Sequence, residues 1–233
     1  MRRALSSTSP FRAGSDATAA NANLEPERLS GGEIGATYGQ RDFTVSVTAF
    51  ANHLSEAIAN VTLGEGPGIF PGVGFVPAGG AYRQRLNLDS VRVHGIEASA
   101  ELKHGPFTGS LGMSLTDAEV DADGPAAELD GLRPAQTPRL AVTASLSWES
   151  RSRALSLVLR HVGNQFEDDL NSERLPPATT IDAFAAWPLG SGFQLVARGE
   201  NLLDETVVAG IGGDGAIERA TPRTFWIGLR VSR

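Results

Sequence analysis

The chain has 233 residues, 41% of them hydrophobic, and a formal net charge of −7, enough for one domain with a sizeable core. It contains no cysteine, which excludes thiol catalysis, Cys-ligated metals and disulfides and leaves the redox compartment open. The acidic balance gives no electrostatic reason to expect nucleic acid as a partner, and no run approaches the ~18 apolar residues of a membrane helix.

The chain begins Met1-Arg2-Arg3-Ala4-Leu5-Ser6-Ser7, basic but without an apolar stretch behind it, so this start does not read as a signal peptide. Residues 1–29 are expected to be irregular. Beyond them the dominant signal is period-2 alternation, which predicts half-buried strands. A strand over Glu33–Tyr38 is followed by Phe43–Ala49, with Phe43, Val45, Val47 and Ala49 opposite Thr44, Ser46 and Thr48. Ser90–Leu102 is a long strand in which Val91 and Val93 change parity to Ile96, Ala98, Ala100 and Leu102, and a bulge at Gly95 is the simplest expectation. Phe107, Leu111, Met113 and Leu115 form the next apolar face, then Leu140 to Trp148, Leu155 to Leu159, Ile181 to Trp187, Phe193 to Ala197 and Phe225 to Val231. These make about nine strands.

The connections alternate in length. Gly39–Asp42, Lys103–Pro106, Ser150–Arg153 and Leu189–Gly192 are tight; roughly 54–82, 118–138, 163–178 and 202–221 are long and rich in Gly, Pro and Asp. In an antiparallel meander all short turns then lie at one end and all long loops at the other, the asymmetry of outer-membrane barrels. Six of the eight strand ends at the tight turns carry an aromatic on the apolar face: Tyr38, Phe43, Phe107, Trp148, Trp187 and Phe193. Rings at one level suit the boundary between hydrocarbon and headgroups. The competing reading is a soluble or surface-attached β-sandwich or barrel that binds a partner, its aromatics closing one end of a core.

No catalytic or metal-ligating set emerges, and no cofactor is expected. His53, His94, His104 and His161 are scattered without paired spacing. Glu119-Val120-Asp121-Ala122-Asp123-Gly124 resembles half a calcium loop but lacks the bidentate Glu at the far end, so a solvated acidic loop is expected. Gly210–Gly215 imitates a glycine-rich phosphate loop without a following helix. The candidates for ligand contact are Phe70 and Phe75, in a loop too rich in Gly and Pro for a regular strand, and Asp168 and Asp169, which open a long loop.

Five stretches carry a family resemblance. Asn21-Ala22-Asn23-Leu24-Glu25-Pro26-Glu27 with Gly32-Glu33-Ile34-Gly35, Asn87 through Gly95-Ile96-Glu97, Pro134-Ala135-Gln136-Thr137-Pro138, Glu200-Asn201-Leu202-Leu203-Asp204 and Pro222-Arg223-Thr224-Phe225 occur in order over nearly the whole chain. They resemble barrel motifs of TonB-dependent receptors, with Ala22 where the family has Pro. The resemblance implies an all-β transmembrane barrel segment in the bacterial outer membrane, spanning 30–233, with residues 1–29 as an extracellular loop. It implies lipid around the barrel, a small-molecule ligand (siderophore, haem, cobalamin or similar) at the outer loops, and energised uptake through a plug domain coupled to TonB. Two departures accompany it. Plug, TonB box and about a dozen preceding strands have no counterpart, so transport by this chain alone is not expected, and the closing aromatic is replaced by Val231-Ser232-Arg233. An odd strand number, beginning outside the cell, agrees with a piece of a larger barrel.

Overall fold

A computed structural model describes residues 9–212 and 215–231. The alternating segments become nine strands: β1 (Arg28–Gln40), β2 (Phe43–Ser55), β3 (Ser90–His104), β4 (Phe107–Asp121), β5 (Leu140–Ser150), β6 (Arg153–Val162), β7 (Ala178–Gly190), β8 (Phe193–Glu200) and β9 (Thr224–Val231). Each pairs antiparallel with its chain neighbour in one nine-stranded sheet, so the order in space is the order in sequence. The meander is local because two-residue turns suffice to reverse the chain at one end. At the last of these, Ser191 and Gly192 both take positive φ, 50° and 79°, the backbone that matches a right-twisted hairpin. Within the sheet β1 and β9 each pair on one side only, leaving two ladder edges open.

The long third strand carries no bulge. Its pairing runs unbroken from Ser90 to Leu102 against β2 and from Ser90 to His104 against β4. Val91 and Val93 keep the strand's parity and simply lie on its inner face, where Val91 joins Leu88, Val120, Ala126 and Leu129 in a buried cluster with Val93 packed against it. The expected bulge misread a change of environment as a change of register. Near the loops the inner face turns apolar because the loops fold onto it. Gly95 has a packing role instead: a Cβ there would stand 2.4 Å from the Leu115 carbonyl oxygen and 2.6 Å from the Phe50 ring. Within the nine-stranded sheet the register shift that does occur lies between Pro188 and Gly190, where proline cannot donate to the ladder.

The first long loop and the segment before β1 are more regular than expected. Ile58–Glu65 pairs with Ala81–Asn87, and Asp16–Ala19 adds parallel to the latter with Phe11–Ala13 beyond it, giving a four-stranded sheet. So 1–29 is not uniformly irregular. The Gly/Pro-rich tip also forms strands, Gly68–Phe70 against Gly74–Val76. Phe70 there stacks on Tyr82, centroids 4.6 Å apart, above the buried Ala17, Ala19 and Val76; aromatic stacking and burial outweigh the weak strand propensity of glycine.

Candidate functional site: an apolar outer wall and a loop cavity

One face of the sheet is apolar and exposed over its whole breadth. Leu111, Leu115, Leu146, Leu157, Ile96, Leu195 and Ile227 all lie open on it, where a soluble sheet would bury them or replace them. The opposite face carries hydroxyls and charges, with Ser110 and Ser145 bonded at 2.7 Å, Thr37 and Ser46 at 2.8 Å, and Arg160 paired with Asp182.

The register places the six aromatics on the apolar face. Tyr38 shares a cross-strand row with Val45, Ala100 and Leu111, and Phe43 with Leu102 and Gly109. Phe107 faces Trp148, whose row continues through Leu155, Ala185 and Ala197. Trp187 lies two residues beyond that row and Phe193 four, toward the tight turns. From β1 to β8 the aromatic level therefore slips by eight residues over seven strand steps. With ~3.4 Å per residue and ~4.8 Å between strands, that is a tilt of about 40°, within the roughly 35–45° of transmembrane barrels.

The upper boundary of the apolar belt slips the same way. Its last apolar row is Ile96, Leu115 and Leu140 on β3–β5, Leu159 with Ile181 four residues lower, and Phe225 six residues lower on β9. Immediately beyond stand Arg92, His94, Asp117 and Glu119, on the same outer face. Arg92 pairs with Glu119 and Asp121 at 3.0 Å, and Asp117 with His94 at 3.8 Å and Arg139 at 3.3 Å. The acidic run read as half a calcium loop is thus split: Glu119 and Asp121 belong to β4 and are held by Arg92, while Asp123 precedes a short 3-10 turn over Gly124–Leu129. On β4 the belt from Phe107 to Leu115 is about 27 Å along the strand, or about 21 Å once the tilt is removed, close to the ~25 Å apolar band of such barrels. At the turn end Arg153 lays its guanidinium 4.3 Å over the Trp187 ring.

At the other end the four long loops and the residues before β1 converge on one cavity of about 970 Å³. Its floor is the inner face of the strand ends, with Leu54, Val91, Val93, Ala118 and Val120; its sides include Asn60, Arg83, Arg133, Thr137, Gly210 and Glu218. Asp168 and Asp169 line it, whereas Phe70 and Phe75 do not. Phe70 is packed on Tyr82 and Phe75 stands exposed at the hairpin tip.

The two aspartates brace loops. Asp169 accepts from the Thr62 N–H and hydroxyl at 2.7 and 2.8 Å, tying the third long loop to the first. Asp168 accepts from the Ser172 hydroxyl and N–H and the Glu173 N–H at 2.7, 3.1 and 2.8 Å. Burial raises the Asp168 carboxyl, but these hydrogen bonds outweigh burial and hold it below the ordinary carboxylate value. Glu173 is pushed up by burial and then by the charges of Asp168 and Glu167, with Arg83 opposing. Residues that sequence reasoning missed are Glu218, Asp16 and Arg83, which come from three separate segments and meet only through the fold. Among the described residues no group of three or more His, Asp or Glu is placed to hold a metal ion. In the glycine-rich stretch 210–215, Val208–Ile211 pairs with Ile217–Arg219 as a β-ribbon; Gly213 and Asp214 lie outside the described residues, as do Ser232 and Arg233 at the chain end.

The family model described as TonB dependent receptor-like, beta-barrel, matches residues 3–202. A search of curated proteins found no match. Among solved structures, the ferric yersiniabactin uptake receptor FyuA from Yersinia pestis is 18% identical with a TM-score of 0.68, over 88% of this chain and 30% of that one. The siderophore receptor PiuA from Acinetobacter baumannii is 15% identical with a TM-score of 0.69, over 91% and 30%. The copper transporter OprC is 16% identical with a TM-score of 0.68, over 91% and 33%. The chain spans about a third of the length of these structures. With a staggered meander, an apolar outer face and a family match over most of its length, the chain belongs to the TonB-dependent receptor β-barrel family.

Proposed function

We propose that these residues form part of the wall and the outer mouth of a TonB-dependent receptor in the bacterial outer membrane, which takes up a scarce nutrient such as a metal chelate, haem or cobalamin. The parallel slip of the two boundaries carries this reading. A belt of constant height running obliquely across tilted strands is what a flat hydrocarbon slab demands of a barrel, and the backbone is satisfied there only by ladder bonds. The six aromatics then sit at the periplasmic interface, and the polar row of Arg92, His94, Asp117 and Glu119 at the outer one. The open edges of β1 and β9 are closed by further strands of the receptor, since an unpaired edge is untenable in lipid. The loop cavity captures ligand from outside, and a plug coupled to TonB supplies energised passage.

Deleting the receptor's gene from its host should abolish energy-dependent accumulation of its nutrient, and restoring it should succeed only where the TonB system is intact. Accumulation that persists without TonB contradicts the uptake reading. A soluble receptor, recovered without detergent, contradicts the membrane reading.

A further inference from the structure

The charges around the loop cavity are unevenly committed. Of the two arginines that line it, Arg83 is paired with Asp16 at 2.8 Å and the buried Arg133 with Asp117 at 3.3 Å. Asp168 and Asp169 are committed to loop bracing, as described above. Glu167 and Glu218 differ. Both line the cavity and converge on Gly210, where a Cβ would meet Glu218 Oε2 at 3.5 Å and Glu167 Oε1 at 3.7 Å. Glu167 accepts one hydrogen bond, from the Gln136 amide at 3.2 Å, and among the described residues no cation pairs with either carboxylate. Two carboxylates within about 7 Å of each other, above an apolar floor of Leu54, Val91 and Val120, set a negative potential in a partly desolvated hollow.

We infer that this cavity selects an amphipathic ligand bearing net positive charge, its apolar body on the floor and its cationic group between Glu167 and Glu218, and that it rejects anionic chelates. This rests on the cavity being the ligand-capture site and narrows the class of nutrient it takes. Its chemistry is complementary on both counts: among the described lining residues an anion would meet two carboxylates and no uncommitted guanidinium, while a cation gains both carboxylates and covers apolar surface.

The test uses the full receptor in a neutral detergent and two dyes with a shared ring skeleton, cationic rhodamine 6G and anionic fluorescein, followed by fluorescence polarisation. Wild type should bind rhodamine saturably, more weakly at high salt, and prefer it to fluorescein. Glu167→Gln with Glu218→Gln should weaken rhodamine about tenfold or more and erase the preference. Asn60→Trp, at an exposed lining position, should block both dyes by filling space. Equal or tighter fluorescein binding, or a preference unchanged by the paired Glu→Gln substitutions while Asn60→Trp still blocks, overturns the charge inference alone. Rhodamine binding that responds to neither change shows that the cavity is not the capture site, and overturns the capture reading itself.

Discussion

Arg153 covers Trp187 across the turn end of β6 and β7, its guanidinium carbon 4.3 Å from the ring centroid. The pair joins the two side-chain types that favour a membrane boundary, an amphipathic ring and a long cation that reaches out of the apolar layer. A double-mutant cycle with Arg153→Ala and Trp187→Ala, read by unfolding of the assembled barrel, should give a coupling of about 0.5–1 kcal/mol. Independent effects from the two substitutions would remove the contact from the account.

Charge should be punished according to face and depth. Leu111 stands midway between Phe107 and Leu115 on β4, exposed on the apolar face, so Leu111→Arg should cost about 2–4 kcal/mol or block assembly. Leu146, one turn-side row lower beside Gly109, should cost less, being nearer the aromatic level. Ser145→Arg points the other way, where Ser145 meets Ser110, and should be far better tolerated. Heat-modifiability on a gel reports folding of each variant, and equal damage at 145 and 146 would mean the faces are misassigned.

How much of this was readable from residues alone follows from range. Alternation and two-residue turns are local, so all nine strands, their order and their outer face were legible, and the five ordered stretches pointed to the family. Gly95 was misjudged because its neighbours Val91 and Val93 answer to loop residues such as Leu129, far away in sequence. The cavity was the least legible part. Asp168 and Asp169 stood out as an acidic pair, but their partners Thr62 and Ser172 show them to be braces, while Glu167 and Glu218 lie 51 residues apart and meet at Gly210. Phe70 looked like a free aromatic only because Tyr82 was not known to lie beneath it.

Gly95 should be intolerant of a side chain. Gly95→Val drives its Cβ toward the Leu115 carbonyl and the Phe50 ring, costing about 1–3 kcal/mol by overpacking. Gly112→Ala, whose Cβ would meet nothing closer than 4.0 Å, should be neutral within about 1 kcal/mol in denaturant titrations. A Gly95→Val barrel as stable as the parent would show that Phe50 swings away freely.

Acid should loosen the third long loop through Asp168. Its folded-state carboxyl lies below the ordinary value, so its contribution is fully present above about pH 4 and is lost as pH falls through the lower, folded value. Hydrogen-exchange protection of residues 167–173 should therefore hold from neutrality to about pH 4 and decline below it. Asp168→Asn should lower protection already at neutral pH, because an amide cannot accept all the bonds now given by Ser172 and Glu173. Unchanged protection in that variant would assign the loop's order to other contacts.

The most direct test of the lipid-facing wall is a nitroxide scan along β4 in bilayers; this chain contributes no cysteine of its own, and any cysteine elsewhere in the receptor is replaced by serine first. Single cysteines from 107 to 117 carry the label in the reconstituted receptor, and oxygen accessibility is compared with that of a water-soluble nickel reagent. Odd positions should be oxygen-accessible with a maximum near 111, even positions should be protected from oxygen, and residue 117 should switch to the nickel reagent. A flat profile, or a maximum on the even positions that carry Ser110, Gly112 and Ser114, would contradict the assignment of this face to lipid.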